Sequence, residues 1–261
     1  MGVKFFDSHV HTRFSADSEM RAEDAIEAAK RQGIGLVFTE HIDYGYVGEK
    51  KFLFDPVEYW KTYEHLRGEN LSLGVEMGLE PGKSGMSREF IARVPFDEVI
   101  GAIHLIDGKD IYEPDCYEGR QQHELYSNYL RLMAAMVREH PYIDTLAHID
   151  YIARYAPYDE PNLTFASWRE EIEAVLRAII ETDTSFEINT RRFCDRLAMK
   201  ELVPIFKQYK KMGGRFVTVG SDAHRPDAIG DGFEQAKEFA RECELTIVTF
   251  RERKRILVER Q

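Results

Sequence analysis

The chain has 261 residues, 43% of them hydrophobic, which suits one large α/β domain over residues 1–261 with a full core. Its 35 lysines and arginines face 46 aspartates and glutamates, so the net charge at pH 7 is −11. This balance argues against nucleic acid as the main partner, because phosphate backbones are bound by basic surfaces. It is compatible with a small phosphorylated metabolite held by a few arginines.

The cysteine pattern and the apolar runs indicate the compartment. Cys116, Cys194 and Cys243 lie far apart and form no C-x-x-C pair, which is typical of reduced thiols. The first residues show no signal-peptide core, and no apolar run approaches the length of a membrane span. We therefore expect a cytoplasmic protein without a membrane segment, and the sequence indicates no particular oligomeric state.

The chain alternates short β-like runs with helical patterns. A strand is predicted at 3–10 and a helix at 22–32, where Ala22, Ala25, Ile26 and Ala29 share one face and Gly33 ends the helix. Strands at 35–39, 71–77 and 98–104 precede a long helix at 117–139. Strands at 143–148, 185–189 and 215–220 alternate with helices at 165–181 and 197–212. A helix at 233–243 leads to a last strand at 245–248.

This alternation predicts parallel strands with helices outside them. Seven strands before a possible eighth favour a closed or nearly closed barrel. An open doubly wound sheet is the alternative, although no glycine-rich phosphate fingerprint follows the first strand. In barrels of this kind the chemistry lies at the C-terminal ends of the strands.

Six of the nine histidines lie at or next to the end of a predicted strand. Their segments are Asp7-Ser8-His9-Val10-His11, Thr39-Glu40-His41, Gly101-Ala102-Ile103-His104, Ala147-His148-Ile149-Asp150 and Gly220-Ser221-Asp222-Ala223-His224. Imidazole and carboxylate are ligands of Zn²⁺, Mn²⁺ and Fe²⁺. Residues two apart on a strand share a face, so each H-x-H or D-x-H pair can bind one ion from one side. The pattern predicts a polynuclear metal centre, which usually catalyses hydrolysis.

A polynuclear site also needs a bridging carboxylate. Glu76 lies within a predicted strand, where a carboxylate is costly unless it is paired or bound to metal, and Glu80 on the same face is the alternative. Glu40, Asp43 and Asp150 are candidates to orient the imidazoles. The other histidines, which we interpret as surface residues, are His65, His123 and His140.

The order of these motifs resembles that of the PHP (polymerase and histidinol phosphatase) superfamily. The family pattern is H-x-H, T-[DE]-H, G-x-E, two strand-end histidines and D-x-H. It corresponds here to His9/His11, Thr39-Glu40-His41, Gly74-Val75-Glu76, His104, His148 and Asp222/His224. Glu40 stands where many members carry Asp. The match spans almost the whole chain, and flanking segments such as Phe186-Glu187-Ile188-Asn189-Thr190 are similar to those of the stand-alone histidinol-phosphate phosphatases.

The resemblance implies a distorted (β/α)₇ barrel of the TIM type with three divalent metal ions at the C-terminal strand ends. Zinc, iron and manganese all occur in such sites. The first ion would be held by His9, His11, Glu76 and Asp222. Glu76 would bridge to a second ion, which His104 and His148 complete. His41 and His224 would hold the third, and Asp17 stands where members often supply another ligand.

The resemblance also implies a metal-dependent phosphatase, most specifically one that converts L-histidinol phosphate to L-histidinol and phosphate in histidine biosynthesis. Two ions sharing Glu76 could share a hydroxide that attacks phosphorus in line. Glu76, Asp222 and His224 are then the candidate catalytic residues. The alternatives are a phosphoesterase for nucleotides or small phosphodiesters, a module that processes DNA ends, and a metal-binding protein without catalysis.

A phosphomonoester is best bound by guanidinium groups, which match phosphate geometry. The candidate arginines near the predicted strand ends are Arg154, Arg191, Arg192 and Arg225. Asn189 is a candidate to hydrogen-bond the substrate or a ligand. Glu187 ends a predicted strand and is a candidate to bind the amine of an amino-alcohol phosphate.

Overall fold

The protein is described by a computed structural model, which covers residues 5–258. Its strands are β1 (Phe6–Val10), β2 (Gly35–Ile42), β3 (Leu71–Gly78), β4 (Val99–Ala102), β5 (Leu105–Ile106), β6 (Lys109–Asp110), β7 (Thr145–Leu146), β8 (Ser185–Asn189), β9 (Phe216–Gly220), β10 (Thr246–Arg251) and β11 (Lys254–Leu257). Its helices are α1 (Ala22–Gln32), α2 (Pro56–Tyr63), α3 (Ser84–Ile91), α4 (Gln122–Glu139), α5 (Tyr151–Arg154), α6 (Arg169–Glu181), α7 (Arg196–Lys211) and α8 (Phe233–Glu242).

Nine of these strands form one sheet in the order β1-β2-β3-β4-β7-β8-β9-β10-β11. Neighbours are parallel except β10 and β11, and β5 and β6 form a separate antiparallel pair. The order follows the chain without the reversal of a doubly wound sheet. The α/β architecture with a mostly parallel sheet is therefore confirmed.

The closed barrel is not confirmed, because no ladder formed by residues 5–258 joins the two ends of the strand order. Within residues 5–258, β1 approaches β9 through a single bridge between Val10 and Ala223, where the His11 amide donates to the Ala223 carbonyl at 2.9 Å. Every residue of β2 and β3 is buried, as expected for parallel strands covered on both faces. Because these strands are parallel, the strand ends that carry the histidines lie at one edge of the sheet.

Local signals account for the well-predicted elements. Helix α1 spans the predicted residues and ends at Gly33, whose φ of 70° is the left-handed conformation that glycine adopts readily. The predicted strand at 3–10 begins at Phe6, and its residues 3 and 4 lie outside the described part of the chain. No helix in the described chain combines the length and apolarity needed to cross a membrane.

Other boundaries differ from the prediction. The strand predicted at 143–148 is only the two residues of β7. The Ala147 amide still donates to Gly101 of β4, but the next amide, that of His148, donates to the side chain of Glu187 instead. Helix α2 was missed, although Asp55 caps its N-terminus and Pro56 stands at its first turn. Its buried residues are Pro56, Tyr59 and Tyr63, which the search for an apolar stripe did not detect.

Candidate metal centre

The predicted ligands converge at the edge of the sheet where the parallel strands end. They are His9 and His11 at the end of β1, His41 in β2, Glu76 in β3, His104 after β4, His148 after β7, and Asp222 and His224 after β9. Glu76 lies at the centre and is fully buried. Its Oε2 lies 2.9 to 3.5 Å from nitrogens of His9, His11 and His41, and its Oε1 lies 3.2 Å from His104 and 3.0 Å from His148.

Charge interactions in the cluster are strong because it is buried. Burial opposes the charged form of Glu76, but the imidazoles of His9, His104 and His41 hold the pKa of its carboxyl well below the usual range. Burial also opposes the charged form of His9, yet Glu76 and Glu187 raise its pKa well above the usual value. The pKa of His11 is lowered, by burial and by the facing His41 and His224. Neighbouring imidazoles therefore compete for protons in one small volume.

Asp222 and Asp17 complete the rim of the cluster. Asp222 Oδ1 lies 3.5 Å from His11 Nε2, and Arg154 donates to its Oδ2 at 2.8 Å. Burial opposes the charge of Asp222, but Arg154 and the histidines hold its pKa well below the usual range. Asp17 Oδ2 lies 3.1 Å from His224 Nε2 and 3.6 Å from His41 Nε2, with its side chain one-third exposed.

The donor set fits divalent metal ions. Buried Nε2 of His9 and His11, Nδ1 of His41 and Oε2 of Glu76 find no hydrogen-bond partner among residues 5–258. Unpaired buried polar atoms are costly, and a cation accepting their lone pairs removes the cost. Four groups of three residues have ligand atoms within 4.8 Å of one another. They are His11/His41/His224, His9/His11/Glu76, His41/Asp43/His104 and Glu76/His104/His148.

A cleft of about 1000 Å³ opens above the cluster. His41, His104, His148, Asp222 and His224 line its base. Two of the four predicted arginines, Arg154 and Arg191, also line it. Arg191 lies 3.2 Å from His224 Nδ1 and donates to the backbone carbonyl of Asp222.

The other two arginines lie away from the cleft. Arg192 pairs with Asp150 at 2.9 Å and so occupies the carboxylate that we expected to orient an imidazole. Arg225 is three-quarters exposed and lies 3.4 Å from the exposed Asp227. Neither Arg192 nor Arg225 is among the residues that line the cleft.

Glu187 and Asn189 are not among the residues that line the cleft. Glu187 is buried, with Oε1 2.6 Å from His9 Nδ1, and its Oε2 accepts from the His148 amide and from Asn189 Nδ2. Its oxygens are thus engaged by three donors inside the protein, and the expected contact with a substrate amine stays a prediction. Asn189 Oδ1 accepts from the Arg191 amide and from Arg154 Nη2, so its side chain helps to position both cleft arginines.

Glu80 agrees with its place as the alternative carboxylate, whereas His140 differs from the prediction. Glu80 accepts a hydrogen bond from the Gly45 amide at 2.7 Å and belongs to none of the four ligand groups. The geometry therefore favours Glu76 over Glu80 as the shared carboxylate. His140, expected at the surface, is fully buried at the end of α4, with Nδ1 2.7 Å from the hydroxyl of Tyr142.

Two residues with structural roles at the site were not recognised in the sequence. Ser15 lies between the imidazole of His11, at 3.0 Å, and the carboxylate of Glu40, at 2.7 Å. Asp7 accepts from the amide and hydroxyl of Ser221 and so ties β1 to the segment that carries Asp222. Burial raises the pKa of Asp7 to about 6. The only local signal of Ser15 is its position four residues after His11, and that of Asp7 is its position two residues before His9.

Buried histidines and carboxylates around one glutamate at the ends of parallel strands are typical of metal-dependent hydrolases. The chain belongs to the PHP domain family, whose family model matches residues 7–191. This confirms the family resemblance noted in the sequence.

Individual relatives match over most of the chain. A probable histidinol-phosphatase of Clostridium acetobutylicum is 41% identical over 95% of this chain and 97% of its own length. A histidinol-phosphatase of Lactococcus lactis subsp. lactis is 32% identical over 85% of each chain. The crystal structure of a histidinol phosphate phosphatase from L. lactis, complexed with zinc, L-histidinol and phosphate, superposes with a TM-score of 0.91. It is 29% identical, and the superposition covers 97% of this chain and 99% of that one.

Proposed function

We propose that this chain is a metal-dependent phosphatase that hydrolyses L-histidinol phosphate to L-histidinol and phosphate. One observation carries the proposal: a buried histidine–carboxylate cluster and two cleft arginines occur together in one chain. That chain superposes over nearly its whole length on a histidinol phosphate phosphatase with zinc, L-histidinol and phosphate. The cytoplasmic location and the absence of a nucleic-acid partner stay predictions.

The proposed metal content is three divalent ions. His9, His11, Glu76 and Asp222 would hold the first, Glu76, His104 and His148 the second, and His41, His224 and Asp17 the third. Overlapping ligand groups around Glu76 support more than one ion. The soft-to-borderline imidazole donors and the zinc in the L. lactis structure favour zinc, with iron and manganese as the alternatives.

The distorted (β/α)₇ barrel is part of the same proposal. The bridge between Val10 and Ala223 supports it, because it joins the segments just before His11 and His224. A sheet curved in this way would bring the first and seventh parallel strands beside each other, which a flat sheet of this order could not do.

Each group in the cleft has a distinct task in this reaction. Bound divalent ions lower the pKa of a coordinated water to near neutrality and offset charge on the phosphoryl group. Arg154 and Arg191 bind phosphate oxygens, since a guanidinium presents paired donors that match them. Asp222 accepts from Arg154, and His224 lies 3.2 Å from Arg191, so these two proposed ligands tie the phosphate position to the metal centre. Glu76 supplies the shared negative charge at the centre of the cluster.

The test is phosphate release from L-histidinol phosphate compared with AMP, a dinucleotide and p-nitrophenyl phosphate. The protein is reconstituted in turn with zinc, iron and manganese, and the control variants are His9→Ala and Asp222→Ala. We expect a strong preference for L-histidinol phosphate that chelation and both variants abolish. Comparable or faster hydrolysis of the nucleotides would support the alternative phosphoesterase function and contradict the proposed substrate.

A further inference from the structure

Glu187 occupies a position that the proposed reaction does not explain. It lies on β8, is 2% exposed, and places Oε1 at 2.6 Å from Nδ1 of His9. Its Oε2 accepts from the backbone amide of His148 at 2.9 Å and from Nδ2 of Asn189 at 3.1 Å. One buried carboxylate therefore contacts two of the proposed metal ligands and the residue that supports both cleft arginines.

The hydrogen-bonding partners determine where the proton on His9 lies. A backbone amide can only donate, so His148 requires an acceptor at Oε2 of Glu187. Asn189 is fixed in orientation because its Oδ1 accepts from the Arg191 amide and from Arg154, which leaves its Nδ2 to donate to Glu187. A carboxylate is an acceptor at both oxygens. Nδ1 of His9 must then donate to Oε1, and in the neutral imidazole that binds a metal Nε2 is left with its lone pair.

We propose that Glu187 is a positioning residue of the metal centre, which holds the proton of His9 on Nδ1 so that Nε2 faces the cluster as a metal ligand. Nε2 of His9 lies 3.3 Å from Glu76 Oε2 and has no hydrogen-bond partner among the described residues. Partners of this kind orient metal-bound histidines in general. The inference rests on the proposed function, in which His9 and His148 are ligands.

The same arrangement recurs at a second histidine, with different partners. The hydroxyl of Ser15 donates to Glu40 at 2.7 Å and accepts from the backbone amide of His41 at 3.1 Å. The remaining lone pair of Ser15 accepts from Nδ1 of His11 at 3.0 Å, so Nε2 of His11 is also left unprotonated.

A third histidine follows the pattern directly. Nδ1 of His104 lies 2.8 Å from Asp43, and its Nε2 lies 3.2 Å from Glu76. In all three cases an outer acceptor contacts Nδ1 while Nε2 faces the central glutamate.

The proposal predicts that the substitution Glu187→Gln weakens metal binding. The single amide oxygen of Gln must face the two fixed donors, the His148 amide and Asn189, which turns the amide NH₂ toward His9. Nδ1 of His9 then has to accept, and the proton moves to Nε2, where it blocks metal binding. Loss of such a partner typically weakens metal affinity by about 10- to 100-fold, and we expect a loss in that range.

The experiment measures zinc affinity by competition with a chromophoric chelator, starting from metal-free protein. It compares the wild type, Glu187→Gln and Glu98→Gln, with circular dichroism to verify folding. Glu98 is a matched control because it is equally buried, and its hydrogen bond to Thr145 involves no proposed ligand. We expect the loss only in Glu187→Gln. Equal zinc affinity in that variant and the wild type would overturn the inference and leave the proposed function intact.

A second measurement uses the wild type alone, so that it does not depend on the folding of a variant. In the zinc-loaded protein, ¹⁵N-correlated spectra of the imidazoles identify which nitrogen of His9 carries hydrogen. A proton on Nδ1 with Nε2 bound to zinc is the expected result, and a proton on Nε2 would overturn the inference. A wild type that binds no zinc and releases no phosphate would refute the proposed function itself, and this inference with it.

Discussion

Replacing Arg154 by methionine tests the assignment of the phosphate site. Its guanidinium donates to Asp222 at 2.8 Å and to Asn189 at 3.3 Å, and packs over the ring of Tyr151. Its Nε is buried and lacks a partner among residues 5–258. An unpaired buried donor beside an open cleft is what a site for an anionic substrate requires, because the substrate supplies the missing acceptor.

The expected loss follows from the hydrogen bonds that the variant cannot make. One hydrogen bond to a charged group contributes about 1.5–3 kcal/mol, and each 1.4 kcal/mol corresponds to about tenfold. We therefore expect kcat/KM for L-histidinol phosphate to fall about 10- to 150-fold in Arg154→Met. Arg225→Met is the matched control, because that side chain is three-quarters exposed and lies 3.4 Å from Asp227. It should retain kcat/KM within about twofold.

The assay is steady-state phosphate release at saturating zinc, with bound zinc quantified for each variant. Quantifying zinc is necessary because Arg154 also pairs with Asp222, a proposed ligand. An Arg154→Met enzyme with full zinc and unchanged kcat/KM would refute the reasoning. So would an equal loss in Arg225→Met, which would show that any removed positive charge lowers the rate.

Two further predictions concern stability. Burial raises the pKa of Glu98 well above its usual value, so the folded state keeps a proton that the unfolded chain loses. The contribution of Glu98 to the free energy of unfolding therefore falls as pH rises above the ordinary glutamate pKa. Glu98→Gln should therefore gain stability relative to the wild type between pH 5 and pH 8 in urea titrations, and a pH-independent difference would contradict this. Asp97 is fully buried and accepts from Arg67 at 2.7 and 2.8 Å and from the Leu73 amide at 2.9 Å. Asp97→Ala should cost about 3 kcal/mol in the same titrations, because it removes the acceptor of the Leu73 and Glu252 amides and leaves Arg67 only the exposed Glu252, at 3.5 Å. A loss below about 1 kcal/mol would argue against that role.

Much of the secondary structure was predictable because its signals are local. Helix α1 has an apolar stripe and a glycine at its end, and β8, which has the predicted bounds, alternates Phe186 and Ile188 with polar residues. The β5–β6 hairpin was not predicted, since two-residue strands carry no readable period. His140 was placed wrongly for a related reason, because its burial depends on Tyr142 and on the segment around Glu80.

The sequence by itself determined the chemistry of the site. Histidines and acidic residues at the ends of successive strand-like runs predicted one cluster, because parallel strands end at the same edge of a sheet. Their identities and order were also enough to indicate the PHP family, which the family comparison confirms.

Only the tertiary structure decided what the neighbouring polar residues contact. Glu187 is 178 positions from His9 in the chain, yet their side chains are 2.6 Å apart, and no local period encodes such a pairing. For the same reason the sequence could not separate Arg154, which lines the cleft, from Arg225, which lies at the surface. Residue type limits the chemistry that a side chain can perform, but the packing of strands distant in sequence determines which partner it meets.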